Sequence, residues 1–103
     1  MAEKHFFEIL TEETPSVNKA FFDLVGVIEK DGGLDAKTFQ LVYIAIKAAA
    51  GEADPVAAHA GFAKKVGATR EEVRGAVLVS LITNGVTGIA SCLAAALDAY
   101  DNA

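Results

Sequence analysis

Apolar residues recur along this chain at intervals of three and four, the spacing that lines one side of an α-helix, and no stretch alternates as a half-buried strand would. Phe6, Ile9 and Leu10 share one side of a first helix expected over Ala2–Thr11. Val17, Phe21, Leu24, Val25 and Ile28 line a second, which starts after Thr14 and breaks at Asp31-Gly32-Gly33. Asp35 is placed to cap a third over Ala36–Ala50, stopped by Gly51. A fourth is expected from Pro55, with Asp54 as its cap, to the neighbourhood of Gly67. Thr69-Arg70-Glu71-Glu72 fits a reciprocal capping box and opens a fifth, which runs to about Asn84. That helix is apolar around most of its circumference and is expected at the centre of the bundle. Gly85-Val86-Thr87-Gly88 reads as a turn, and Ile89, Leu93, Ala96, Leu97 and Tyr100 mark a sixth helix. The fold class is all-α, a compact bundle of about six helices. Pro15 and Pro55, the two prolines, both stand where a helix would begin.

Length and composition limit what such a bundle does. The 103 residues suffice for one domain, 1–103, around a single core. Hydrophobic residues make up 52% of the chain, more apolar surface than so short a chain can bury within itself, so self-association is expected. The apolar runs Leu41–Ile46 and Ala76–Ile82 fall short of the ~20 residues needed to cross a bilayer, so no membrane role is expected. Met1-Ala2-Glu3-Lys4-His5 lacks the pattern of a signal peptide, which makes a cytoplasmic location the default. A net charge of −5 with scattered lysines and arginines argues against nucleic acid, which needs clustered cations to displace counterions. The single cysteine, Cys92, excludes an internal disulfide or a paired-thiol site and reads as a small buried hydrophobe.

Two helices carry polar residues with chemical potential. Gln40, Tyr43 and Lys47 fall at i, i+3 and i+7, so they share a side of the third helix, which spacing alone reads as a solvated face before it reads as a site. His59 projects from an apolar stripe with Val56, Phe62, Ala63 and Val66, where a lone histidine is ordinarily a core residue with satisfied nitrogens. Histidine also gives and takes a proton near neutral pH without a large pKa shift. A metal is disfavoured, because Ala63 stands at i+4 where a second ligand would be needed. Glu52 reads as a loop carboxylate facing water or as a second acid–base group facing His59. Ser80 and Asn84, one turn apart, either line the same pocket or serve their own helix.

The order Gly51-Glu52-Ala53-Asp54-Pro55-Val56-Ala57-Ala58-His59, between Leu34-Asp35-Ala36-Lys37-Thr38 and Gly67-Ala68-Thr69-Arg70-Glu71-Glu72-Val73, resembles the carboxymuconolactone decarboxylase family, which includes the alkylhydroperoxidase D-like proteins. The resemblance covers about Val17 to Leu97 and is most specific over 34–85. It implies an alkylhydroperoxidase D-like helical fold and a homo-oligomer, a trimer or hexamer of dimers. In the peroxidase branch two cysteines precede the histidine; here Glu52 and Pro55 stand in their places, and Gln40 replaces a relay glutamate. A disulfide-relay peroxidase is therefore not expected, and one using Cys92 ranks last. The decarboxylase branch also lacks the cysteines and keeps a histidine at the position of His59. It converts γ-carboxymuconolactone to an enol-lactone with release of CO2 and needs no cofactor. On this resemblance the expected catalytic residues are His59, Glu52 and Gln40, with Tyr43, Lys47 and Phe62 holding a small carboxylate or lactone. No metal and no cofactor are expected. The rival implication is a non-catalytic oligomeric scaffold or binding protein that kept the fold.

Overall fold

The computed structural model describes residues 4–103. Those residues are helical with short connections, contain no strand, and divide into two compact units, one ending at Leu34 and one spanning Asp35–Ala103.

The first unit is a helical hairpin of α1 (Phe6–Glu13) and α2 (Pro15–Asp31). His5 caps α1 with its ring, Nδ1 accepting from the Phe7 N–H at 3.2 Å. The expected start at Ala2 lies outside the described residues. Pro15 opens α2 as its missing N–H and fixed φ allow. The expected Thr14 cap is corrected: its hydroxyl donates back to the Leu10 carbonyl at 3.1 Å and closes α1 instead. Phe7, Phe21 and Phe22 pack as an aromatic group, with Phe7 and Phe22 centroids 5.0 Å apart. No residue of either helix is buried, and Phe6, Val17, Leu24 and Val27 are all more than half exposed. An eight-residue helix such as α1 is marginal unless packing supports it.

The second unit holds α3 (Ala36–Ala49), α4 (Ala53–Lys65), α5 (Arg70–Asn84) and α6 (Ala94–Asn102), the last led in by a π-helical turn over Ile89–Leu93. Helix α3 packs on α5 and α4, and α4 packs on α6. The core consists of Ile44, Ala48, Val56, Ala60, Ala63, Ala68, Val73, Val77, Cys92 and Ala96. Half of these are alanines, so the helices approach closely and each methyl is in tight contact. Cys92 is free and buried, in keeping with its reading as a small hydrophobe.

Local chemistry sets the boundaries. Asp35 accepts from the Thr38 N–H at 2.7 Å and starts α3. Gly51, at φ +74, ends α3 in a Schellman motif: its N–H donates to Ala48 O at 2.9 Å and that of Glu52 to Lys47 O at 3.0 Å. Gly67, at φ +95, repeats the device after α4, with Ala68 N–H donating to Ala63 O at 2.9 Å. Thr69 and Glu72 form the reciprocal box at the start of α5.

Three expectations on this unit are corrected. Helix α4 begins two residues early, at Ala53, so Glu52 rather than Asp54 is the N-cap residue, and it makes no side-chain cap bond. Asp54 lies within the first turn, where its charge complements the helix dipole without capping. The turn before the last helix shrinks to Gly85-Val86, since helical backbone resumes at Thr87. Helix α5 is one-sided rather than central: Val73, Val77 and Ser80 are buried, whereas Leu78, Val79, Leu81 and Ile82 are exposed, Ile82 at 86%. Helix α5 packs on α3 and on the last helical segment, and its second apolar side stays open. Among the described residues no helix is long and apolar enough to cross a membrane.

Candidate functional site

Gln40, Tyr43 and Lys47 stand on one side of α3, each half-buried, because their three- and four-residue spacing follows the helical repeat. Across from them α4 carries His59, also half-buried, on the turn after buried Val56. Packing of α3 on α4 brings the two polar sides together. His59 Nδ1 lies 2.7 Å from the Gln40 amide oxygen. The Tyr43 ring stacks on the imidazole with centroids 3.6 Å apart and planes 19° from parallel. Phe62, one turn further along α4, meets the imidazole edge-on at 4.9 Å and is 45% exposed.

Lys47 and Glu52 form the rim. The lysine ammonium donates to the Glu52 carboxylate at 3.0 Å and lies 6.0 Å from the Tyr43 ring centroid. The Schellman turn explains this pairing, since it returns the Glu52 backbone to the Lys47 carbonyl and leaves the two side chains on the same side. Both side chains keep substantial exposure, so the pair orients its members more than it stabilises the fold.

The electrostatics of the cluster are lopsided. Burial lowers the pKa of His59 from its ordinary value, and the charge of Lys47 lowers it further. Lys47 moves the opposite way, raised mainly by its hydrogen bond to Glu52. Gln40 carries no charge to offset the lysine. His59 thus rests as neutral imidazole, next to a cation able to attract an anionic group.

All six expected site residues therefore lie in or beside one cluster: Gln40, Tyr43, His59 and Phe62 in direct contact, Lys47 and Glu52 at its edge. Ser80 does not join it. Its buried hydroxyl donates to Val77 O at 2.6 Å within its own helix, and Asn84 ends that helix. Among the described residues no group of histidine, cysteine and carboxylate side chains could hold a metal ion. Gly51 was not foreseen as a determinant of the site; its role becomes visible only when the Schellman bonds and the Lys47–Glu52 pair are seen together.

The chain belongs to the carboxymuconolactone decarboxylase family, whose sequence model matches residues 15–98, a span that includes every residue of the cluster. No curated protein and no solved structure matches the chain.

Proposed function

We propose that the cluster around His59 is a site for a small carboxylate or lactone, and that the activity is a cofactor-free, decarboxylase- or lyase-like reaction in which His59 moves a proton. The observation that carries this reading is the half-buried imidazole fixed at 2.7 Å by Gln40 and stacked on Tyr43, with a lysine at its rim. A structural histidine needs its nitrogens satisfied; this one has a single partner among the described residues. In such a decarboxylation the bond to the carboxylate breaks, CO2 departs, and the electron pair passes into the conjugated lactone. A proton from His59 then closes the step at carbon. Lys47 would attract the substrate's charge, and the Tyr43 and Phe62 rings would supply an apolar wall that strips water from the departing carboxylate. Glu52 would act through Lys47, holding the ammonium charged and in place. Self-association is part of the reading, supported by the exposed apolar sides of α2 and α5.

The rival reading is a scaffold or binding member without chemistry, favoured by the closeness of the Tyr43 stack, which covers one imidazole face. A thermal-shift screen of wild type and His59→Ala against small lactones, keto acids and aromatic carboxylates separates the two. The proposal expects a compound that raises the melting temperature of wild type, leaves the variant unmoved, and is turned over only by wild type. An unresponsive wild type, with a variant of equal or greater stability, would favour the scaffold.

A further inference from the structure

We propose that Gln40 is a positioning residue that keeps the His59 proton on Nδ1 and thereby makes Nε2 the nitrogen that exchanges a proton with substrate. This deepens the reading above and rests on it for the word substrate. A neutral imidazole carries one N–H, and the hydrogen bond made by one nitrogen determines what the other can do. The glutamine presents its amide oxygen to Nδ1 at 2.7 Å, and an oxygen can only accept, so Nδ1 must donate. The lone pair then sits on Nε2. Among the described residues Nε2 has no hydrogen-bond partner, yet it is not one of the buried unpartnered atoms, so it opens to solvent. Tyr43 closes one ring face, and Phe62 leans on the ring from its edge. The working atom is accordingly a lone pair in the imidazole plane, at a half-buried position that keeps contact with solvent.

The neutrality of Gln40 is part of the device. A carboxylate at this position would also hold the proton on Nδ1, but its charge would stabilise imidazolium and raise the pKa of His59. An amide fixes the tautomer without that stabilisation. The charged and titratable groups around the imidazole, Lys47, Glu52 and Tyr43, include one cation that is already committed to a carboxylate. His59 thus starts each cycle as a base: Nε2 takes a proton from solvent as an anionic ligand enters, and delivers it to the carbon on which the electron pair collects when CO2 leaves, so that each turnover consumes one solvent proton. The proton taken up and the proton delivered balance, and no oxidant or reductant is required.

The test is nitrogen-15 NMR of the full chain, which distinguishes a protonated from an unprotonated ring nitrogen. The chain has two histidines, so a His5→Ala variant assigns the His59 signals. The proposal expects neutral His59 to carry its proton on Nδ1 in wild type. Gln40→Leu should move it to Nε2, the tautomer imidazole prefers in water, and Gln40→Glu should restore Nδ1–H while shifting the pKa upward. Protonated Nε2 in wild type, or a tautomer that Gln40→Leu leaves unchanged, overturns the proposal. These signals are read without ligand. Loss of the ligand response in His59→Ala is a separate readout, so a failure of the functional reading is distinguishable from a failure of the tautomer assignment.

Discussion

Replacing Gly88 by alanine sets two opposing effects against each other, and the structure decides the sign. Gly88 has helical backbone angles, φ −67 and ψ −33, so conformation alone favours the substitution. Alanine exceeds glycine by about 1 kcal/mol in a helix. Against that, a Cβ at this position would lie 2.4 Å from the Ala48 carbonyl oxygen and 2.6 Å from Ser80 Oγ. The oxygen belongs to the α3 backbone and cannot rotate away, and Ser80 is buried and bonded to its own helix. Overpacking of this kind costs about 1–3 kcal/mol, with rigid obstacles at the upper end. The net expectation is a loss of about 2 kcal/mol, which for a domain this small lowers the melting temperature by roughly 8–16 °C. Gly75→Ala is the matched control: it lies in α5, and a Cβ there would meet nothing within 4 Å. It should gain up to about 1 kcal/mol from propensity. Both variants are compared with wild type by urea titration and thermal melting. If Gly88→Ala matched or exceeded wild type while Gly75→Ala behaved as expected, the close approach of the chain before α6 to the end of α3 would be wrong.

Three further outcomes follow from the same geometry. Thr69→Ala removes the reciprocal cap of α5 and should cost about 1 kcal/mol in urea unfolding, whereas Asp54→Ala, which removes no cap bond, should cost clearly less; equal losses would restore Asp54 as the cap of α4. Because the folded pKa of His59 lies below the ordinary 6.5, the unfolded chain binds more protons between those two values. Stability should therefore rise with pH through that window and fall as pH drops below 6.5, and His59→Gln should flatten this slope; denaturant midpoints taken across the window check it, and an unchanged slope would refute it. Glu52→Gln should lower the pKa of Lys47, since the carboxylate hydrogen bond is the largest cause of its elevation; an NMR titration of the lysine that showed no change would dissociate the pair.

Most of the architecture was legible because each signal acts within a few residues. Asp35, Gly51, Gly67 and the Thr69–Glu72 box end or start helices through bonds to backbone three to five positions away, so the residue types alone disclose them. Thr14 misled because a hydroxyl can bond forward as a cap or back to the preceding turn, and the choice depends on the backbone angles, φ −140 and ψ 69, that the junction adopts. The one-sidedness of α5 was hidden because hydrophobicity reports what avoids water, not whether the chain itself provides the cover. In the candidate site, periodicity put Gln40, Tyr43 and Lys47 on one side of α3, but spacing could not separate a solvated stripe from one facing a partner helix. The family resemblance put these residues and His59 on one list of candidates, but the Gln40–His59 contact, nineteen residues apart in sequence, follows from no local rule and was not expected.

The error at α4 bears on the site itself. An acidic residue just before a proline is ordinarily a cap, and Asp54 met that description. The chain instead enters α4 earlier, with Glu52 as the N-cap residue, and the Glu52 carboxylate turns away from the free amides toward Lys47. Local helix chemistry is thus left incomplete at the point where the cluster is built, a pattern expected where a position serves a site more than its own helix. Gly51 connects the two. Its left-handed backbone brings Glu52 to Lys47, and a Cβ there would meet the Thr87 methyl at 3.3 Å, so the turn cannot easily be rebuilt with another residue. Burial is the main reason the His59 pKa is lowered, and the charge of the lysine held in this way lowers it further. A glycine eight positions before the histidine therefore shapes the rim of the cluster, through a turn and an ion pair.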